Sequence, residues 1–71
     1  MERFLQYSLQ HGRPIRGVLM INGVLVQKTF TVLNYSCECV SVLLGSKGTP
    51  LLLPLSDILS CDYARGDHGE T

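Results

Sequence analysis

Gly17-Val-Leu-Met-Ile-Asn22-Gly23-Val-Leu-Val-Gln-Lys-Thr-Phe-Thr-Val-Leu33 places two runs of apolar and β-branched residues on either side of an Asn-Gly pair. Asn-Gly is the strongest short-range hairpin signal, because a tight two-residue turn needs positive φ at both central positions. The reading is a hairpin with strands from about Ile15 to Ile21 and from about Val24 to Leu33. A two-residue turn also fixes the register: Ile21 opposite Val24, Val18 opposite Gln27, Gly17 opposite Lys28 and Arg16 opposite Thr29. In the second strand Val24, Val26, Phe30 and Val32 share one face, broken only by Lys28, and Leu25, Gln27, Thr29, Thr31 and Leu33 share the other. The first face is expected to be core and the second half wet.

Working outward, Leu5 and Leu9 stand at i, i+4 with Phe4 beside them, which predicts a short helix from Glu2 to Gln10 with His11-Gly12 as its stop. Arg13-Pro14 sets an extended lead-in to the first strand, since proline fixes its own φ and moves its predecessor out of the helical region. On the other side, Asn34-Tyr35-Ser36 reads as a turn, Cys37 to Leu44 as a third strand and Gly45 to Gly48 as the next turn. Thr49 to Leu53 is a fourth strand that Pro50 marks as an edge. Pro54 to Asp57 reads as a single helical or 3₁₀ turn and Ile58 to Tyr63 as a fifth strand. Residues 1–63 thus form one mainly β domain, a short N-terminal helix followed by a five-stranded, strongly bent antiparallel small barrel. Residues 64–71 are expected to be a flexible charged tail.

With 71 residues the chain is near the lower limit for a single unaided hydrophobic core. Its hydrophobic fraction is 45% against 17% charged, a poor ratio for so small a sphere, and self-association is the natural resolution. Six basic residues balance six acidic ones, so no long-range field gathers phosphate backbones, and nucleic acid is a disfavoured partner. Met1 to Leu5 leads into polar residues rather than an apolar signal core, and the longest apolar runs are too short to span a bilayer. The expectation is a cytoplasmic protein with no membrane partner, its three cysteines kept as free thiols.

No constellation commits the chain to catalysis. Cys37, Cys39, Cys61 and His68 lack the spacing of a common zinc motif, and small apolar fillers are the better reading, so no metal and no cofactor are expected. His11 and His68 fall at an element end and in the tail, where a rigidly held base is hard to arrange. Asp57 and Asp62 read as a turn residue and a solvated strand position. Arg65-Gly66-Asp67 spells an adhesion tripeptide, but reads here as part of a solvated tail.

The order of these elements from Glu2 to Tyr63 resembles the Sm-like and SH3-like small barrels. In the Sm-like family the last two strands commonly pair with a neighbouring subunit, which implies a homo-oligomer interface at Leu51, Leu52, Leu53 and Leu55. The same resemblance implies base recognition by Asn34 and Tyr35 after the second strand, with Arg16 or Lys28 in support. The second family site reads Leu55-Ser56-Asp57-Ile58 here, with neither Arg-Gly nor Lys-His. The register also sends Arg16 and Lys28 to opposite sides of the sheet, so no basic patch follows. The expected function is a small interaction or structural module that self-associates through sheet edges and binds a protein partner. An Sm-like RNA-binding regulatory protein is the alternative.

Overall fold

The computed structural model describes residues 2–45 and 48–69. Helix α1 (Glu2–His11) precedes strands β1 (Ile15–Ile21), β2 (Val24–Tyr35), β3 (Cys39–Leu44) and β4 (Leu51–Pro54). A 3₁₀ turn (Leu55–Asp57) then leads to β5 (Ile58–Tyr63). The strands form one antiparallel sheet in the order β4-β3-β2-β1-β5. The barrel expected from the sequence does not close: β4 pairs with β3 and β5 with β1, and among the described residues no ladder joins β4 to β5. The fold is one N-terminal helix on an open five-stranded sheet.

The hairpin has the expected register throughout, from Ile21 opposite Val24 to Ile15 opposite Phe30. Asn22 and Gly23 have φ of 52° and 77°, as a type I′ turn demands. β2 runs two residues past Leu33. A bulge there lets Asn34 pair with Ser41 and Tyr35 with Val40, so the expected Asn34-Tyr35-Ser36 turn moves to residues 36–38 and β3 begins at Cys39. Ser36 builds that turn. Its N–H donates to the Cys39 carbonyl at 2.8 Å, and its Oγ accepts from the N–H groups of Glu38 and Cys39 at 3.3 Å each. β4 starts at Leu51 instead of Thr49, and Ser46 and Lys47 of the preceding turn lie outside the described residues.

The core is Leu5 of α1 against Ile15, Leu19, Phe30, Val32, Val40, Val42, Leu53 and Ile58 of the sheet. Val24, expected in the core, is 58% exposed, and Lys28 is exposed although it faces Gly17 across the ladder. The strand pairing explains both. β5 accompanies β1 only as far as Leu19, and β3 reaches β2 only from Phe30 onward, so the hairpin tip is a two-stranded arm with no third strand beside it.

Two local constraints hold α1 and β5 in place. The helix ends in a Schellman-type turn, with Gly12 at φ 63° and the Arg13 N–H donating to the Ser8 carbonyl at 3.3 Å. β1 begins only at Ile15, opposite Phe30, so the Val32 N–H of β2 lies past the end of this ladder. Ser8, wholly buried, accepts that N–H on its Oγ at 2.9 Å and donates to the Arg13 carbonyl at 2.6 Å. At Gly17 a Cβ would collide with the Ser60 carbonyl oxygen of β5 and stand 3.2 Å from the Phe30 ring. Only glycine admits this approach of β5.

Ser8→Ala leaves the buried Val32 N–H without an acceptor and is expected to cost about 1–3 kcal/mol. Gly17→Ala forces β5 away and is expected to cost about 1–3 kcal/mol. Urea denaturation of both variants checks this, and a wild-type midpoint for either would disprove the corresponding constraint.

Candidate functional site

Among the described residues, an open groove of about 650 Å³ lies between the start of α1, the β2–β3 turn and the 3₁₀ turn. α1 presents Glu2 and Leu5, three residues apart and so on one helix face. The end of β2 and its turn supply Tyr35, Ser36 and Cys37, and the 3₁₀ turn supplies Leu55 and Ser56. The Leu55 N–H donates to the Glu38 carbonyl at 2.8 Å, which ties the two turns together and sets the width of the groove. Leu5 is buried, while Tyr35 and Leu55 are half-buried and pack against the core. The walls are therefore mainly apolar, with one carboxylate, two hydroxymethyl groups and one exposed thiol.

The candidate RNA residues do not converge. Tyr35 lines the groove and also meets Asn34 in a smaller concavity with Ser36, Cys39, Ser41 and Leu52, where the Asn34 Oδ1 accepts the Tyr35 N–H at 2.9 Å, but neither arginine nor lysine joins them. Lys28 is six residues from Asn34 along β2, roughly 20 Å in an extended strand. Arg16 lies opposite Asp62 on β5 with Nη2 3.7 Å from its carboxylate. Arg16 and Lys28 take the register that separates them.

The four candidate interface leucines do not share a surface either. Alternation along β4 turns Leu51 and Leu53 toward the core, where Leu53 is only 6% exposed, and sends Leu52 outward at 66%. Leu55 belongs to the groove. Leu53 is thus a core residue, and Leu52 alone of the four is fully exposed. Cys37 sits in the turn and not on a strand beside Cys39, so the two do not share a strand face. Cys61 is half-buried, and that burial pushes its thiol above the usual range.

A second polar cluster joins residues that sequence reasoning left apart. After β5 the chain turns, with the Asp67 N–H donating to the Ala64 carbonyl at 2.9 Å, and the Asp67 carboxylate accepts the Tyr7 hydroxyl at 2.8 and 2.9 Å. Arg13 Nη1 donates to Tyr7 Oη at 3.0 Å and stands 3.9 Å from Asp67. Tyr63 packs edge-on against Phe4 and Tyr7, with ring centroids 4.8 and 5.2 Å apart. In the segment expected to be a flexible tail, the Asp67 carboxylate of Arg65-Gly66-Asp67 is thus bound to the chain's own helix. The Gly69 N–H, at 3.0 Å, and the Tyr7 hydroxyl hold the Asp67 carboxyl below its usual range. Burial, then the hydrogen bond to Asp67, raises the Tyr7 phenol. Tyr7 and Asp67 are sixty positions apart, and no local pattern links them.

Comparisons with protein-family models, curated proteins and solved structures return no match to this chain.

Asp67, depressed below 3.8, stabilises the closed segment fully at pH values above that of the free carboxyl, and this contribution is lost as pH falls through its lowered folded value. Tyr7, raised above 10.0, contributes fully below pH 10 and loses its contribution as pH rises through its folded value. Carboxyl-detected NMR titration is expected to give an Asp67 midpoint below 3.8, with the Tyr7 and Tyr63 ring signals moving in step. A midpoint at or above 3.8 would contradict the Tyr7–Asp67 hydrogen bond.

Proposed function

We propose that this chain is a small structural or interaction module that self-associates through the free edges of its sheet. One observation carries the reading: the sheet ends in two outer strands, each paired on one side only, and each bears an exposed leucine. Leu52 on β4 is 66% exposed and Leu59 on β5 is 50% exposed. An unpaired edge with apolar side chains is a template for a further strand. β4 is short, follows Pro50 and ends in Pro54, which limits the donors it can offer, whereas β5 has six residues. The apolar composition supports the same reading, since a second copy covers surface that a monomer leaves wet. The strand order, with a 3₁₀ turn between β4 and β5, supports a small barrel of Sm-like or SH3-like type whose closure comes from a neighbouring copy. No described helix is long and apolar enough to cross a membrane. A cytoplasmic module without cofactor or catalytic role is the reading adopted.

The RNA-binding alternative has one feature in its favour. The groove unites the turn after β2 with the segment before β5, the two places where the Sm-like resemblance implies base contacts. Against it, the lining carries the carboxylate of Glu2 and no lysine or arginine, the wrong sign for a phosphate backbone.

Light scattering over a concentration series is expected to give a mass several times that of the monomer. Leu52→Asp and Leu59→Asp should each lower that mass while keeping the native circular dichroism, whereas Leu53→Asp should unfold the chain by placing a charge in the core. A monomer at every concentration rules out self-association. Retention of an oligo-uridine at low salt, weakened by Tyr35→Ala, would favour RNA instead.

A further inference from the structure

Residues 64–69 form a strap that runs from the end of β5 to α1. None of its residues is buried and none joins a strand ladder, so little apolar contact holds it. One carboxylate holds it instead. The Asp67 side chain, 18% exposed, accepts the Tyr7 hydroxyl at 2.8 and 2.9 Å and the Gly69 N–H at 3.0 Å, with Arg13 Nη1 3.9 Å away. The seat for this carboxylate is built by the rest of the molecule. Tyr7 packs against Tyr63 and Tyr63 against Phe4, while Arg13 Nη1 donates to the Tyr7 oxygen at 3.0 Å and leaves the phenol its one proton to give. Gly69 has φ 76°, and a Cβ there would collide with the Tyr63 ring. Beside the strap an open concavity of about 320 Å³ is lined by Arg13, Pro14 and residues 64–67, among them Arg65.

We propose that Tyr7 and Arg13 form a carboxylate-recognition site for an Asp-x-Gly segment of a partner protein, and that the chain's own Asp67-His68-Gly69 fills this site as an autoinhibitory contact. The occupant is read from the segment seated there. A phenol that already accepts from a guanidinium selects an acceptor, and the guanidinium beside it selects a charged one. Glycine two positions on returns its N–H to the same carboxylate and clears the Tyr63 ring. The concavity gives an incoming carboxylate a way in past the two arginines, Arg13 and Arg65. Displacing the strap uncovers no core residue. Docking here needs no unpaired strand edge, so it stands or falls separately from self-association.

The test is an NMR titration of the full chain, as wild type and as Asp67→Ala, with a blocked Gly-Asp-His-Gly peptide and its asparagine counterpart. The substitution empties the seat, and the Tyr7 and Tyr63 ring signals and the Arg13 Nε signal report what enters it. The aspartate peptide is expected to shift these signals in Asp67→Ala and to bind wild type about tenfold more weakly, because a tethered Asp67 competes at an effective concentration of millimolar order. The asparagine peptide should bind the variant about tenfold more weakly than the aspartate peptide. Gly69→Ala keeps every charge but sets a Cβ against the Tyr63 ring, and should speed tryptic cleavage after Arg65. The proposal is overturned by an absence of saturable shifts at Tyr7 and Arg13 in Asp67→Ala, by equal affinity of wild type and variant, or by equal binding of the asparagine peptide. Inorganic phosphate moving the same signals at lower concentration than the aspartate peptide overturns it in favour of a phosphate site. Loss of native circular dichroism in Asp67→Ala, or an unchanged cleavage rate in Gly69→Ala, overturns the strap as a releasable contact.

Discussion

The hydroxyl of Ser8 is the joint on which helix and sheet depend. It sits in a wholly buried position, accepts the Val32 N–H and donates to the Arg13 carbonyl, while the Ser8 carbonyl accepts the Arg13 N–H. One residue thus ends the helix, starts the lead-in to β1 and satisfies the β2 amide that outruns β1. Leu5 and Tyr7 are buried on either flank of Ser8 in α1. Leu5 becomes the floor of the groove, and Tyr7 becomes the post to which the C-terminal segment is tied.

β2 carries the remaining architecture because its two halves serve different partners. It pairs with β1 from Val24 to Phe30 and with β3 from Phe30 to Tyr35, so Phe30 is the position where the two ladders meet. The offset has two consequences. The hairpin tip becomes a two-stranded arm whose Val24 and Leu25 stay exposed, and among the described residues the sheet ends in β4 and β5 without a ladder between them. An open sheet with leucines at both edges has unsatisfied pairing capacity, which is the physical basis of the self-association reading.

Charge placement separates the two ends of the molecule's chemistry. Near β5 and the C-terminal segment, Asp62 and Asp67 are each matched by an arginine, Asp67 also by a hydrogen bond from Tyr7. The groove, by contrast, is lined by a single carboxylate, that of Glu2. A neutral net charge of six acids against six bases says nothing of these different surroundings.

The hairpin, its register, the helix and the 3₁₀ turn were legible in the sequence because each depends on local chemistry: Asn22-Gly23 for the turn, Leu5 and Leu9 for the helix, Gly12 for its end, Pro54 for the break between strands. The β2–β3 turn was misplaced because a bulge at Leu33 is a tertiary adjustment that leaves no composition signal. The candidate residues were legible only in part: Tyr35 and Leu55 meet in the groove, while Arg16, Lys28 and Asn34 do not converge and Leu53 is core. Strand alternation shows which residues share a face, but which face is covered depends on where β3, β5 and α1 stop. Contacts such as Tyr7 with Asp67, sixty residues apart, exist only once the chain is folded. Local backbone preferences are written residue by residue, whereas burial, charge pairing and open edges follow from the relative lengths and offsets of packed elements, which only the tertiary structure decides.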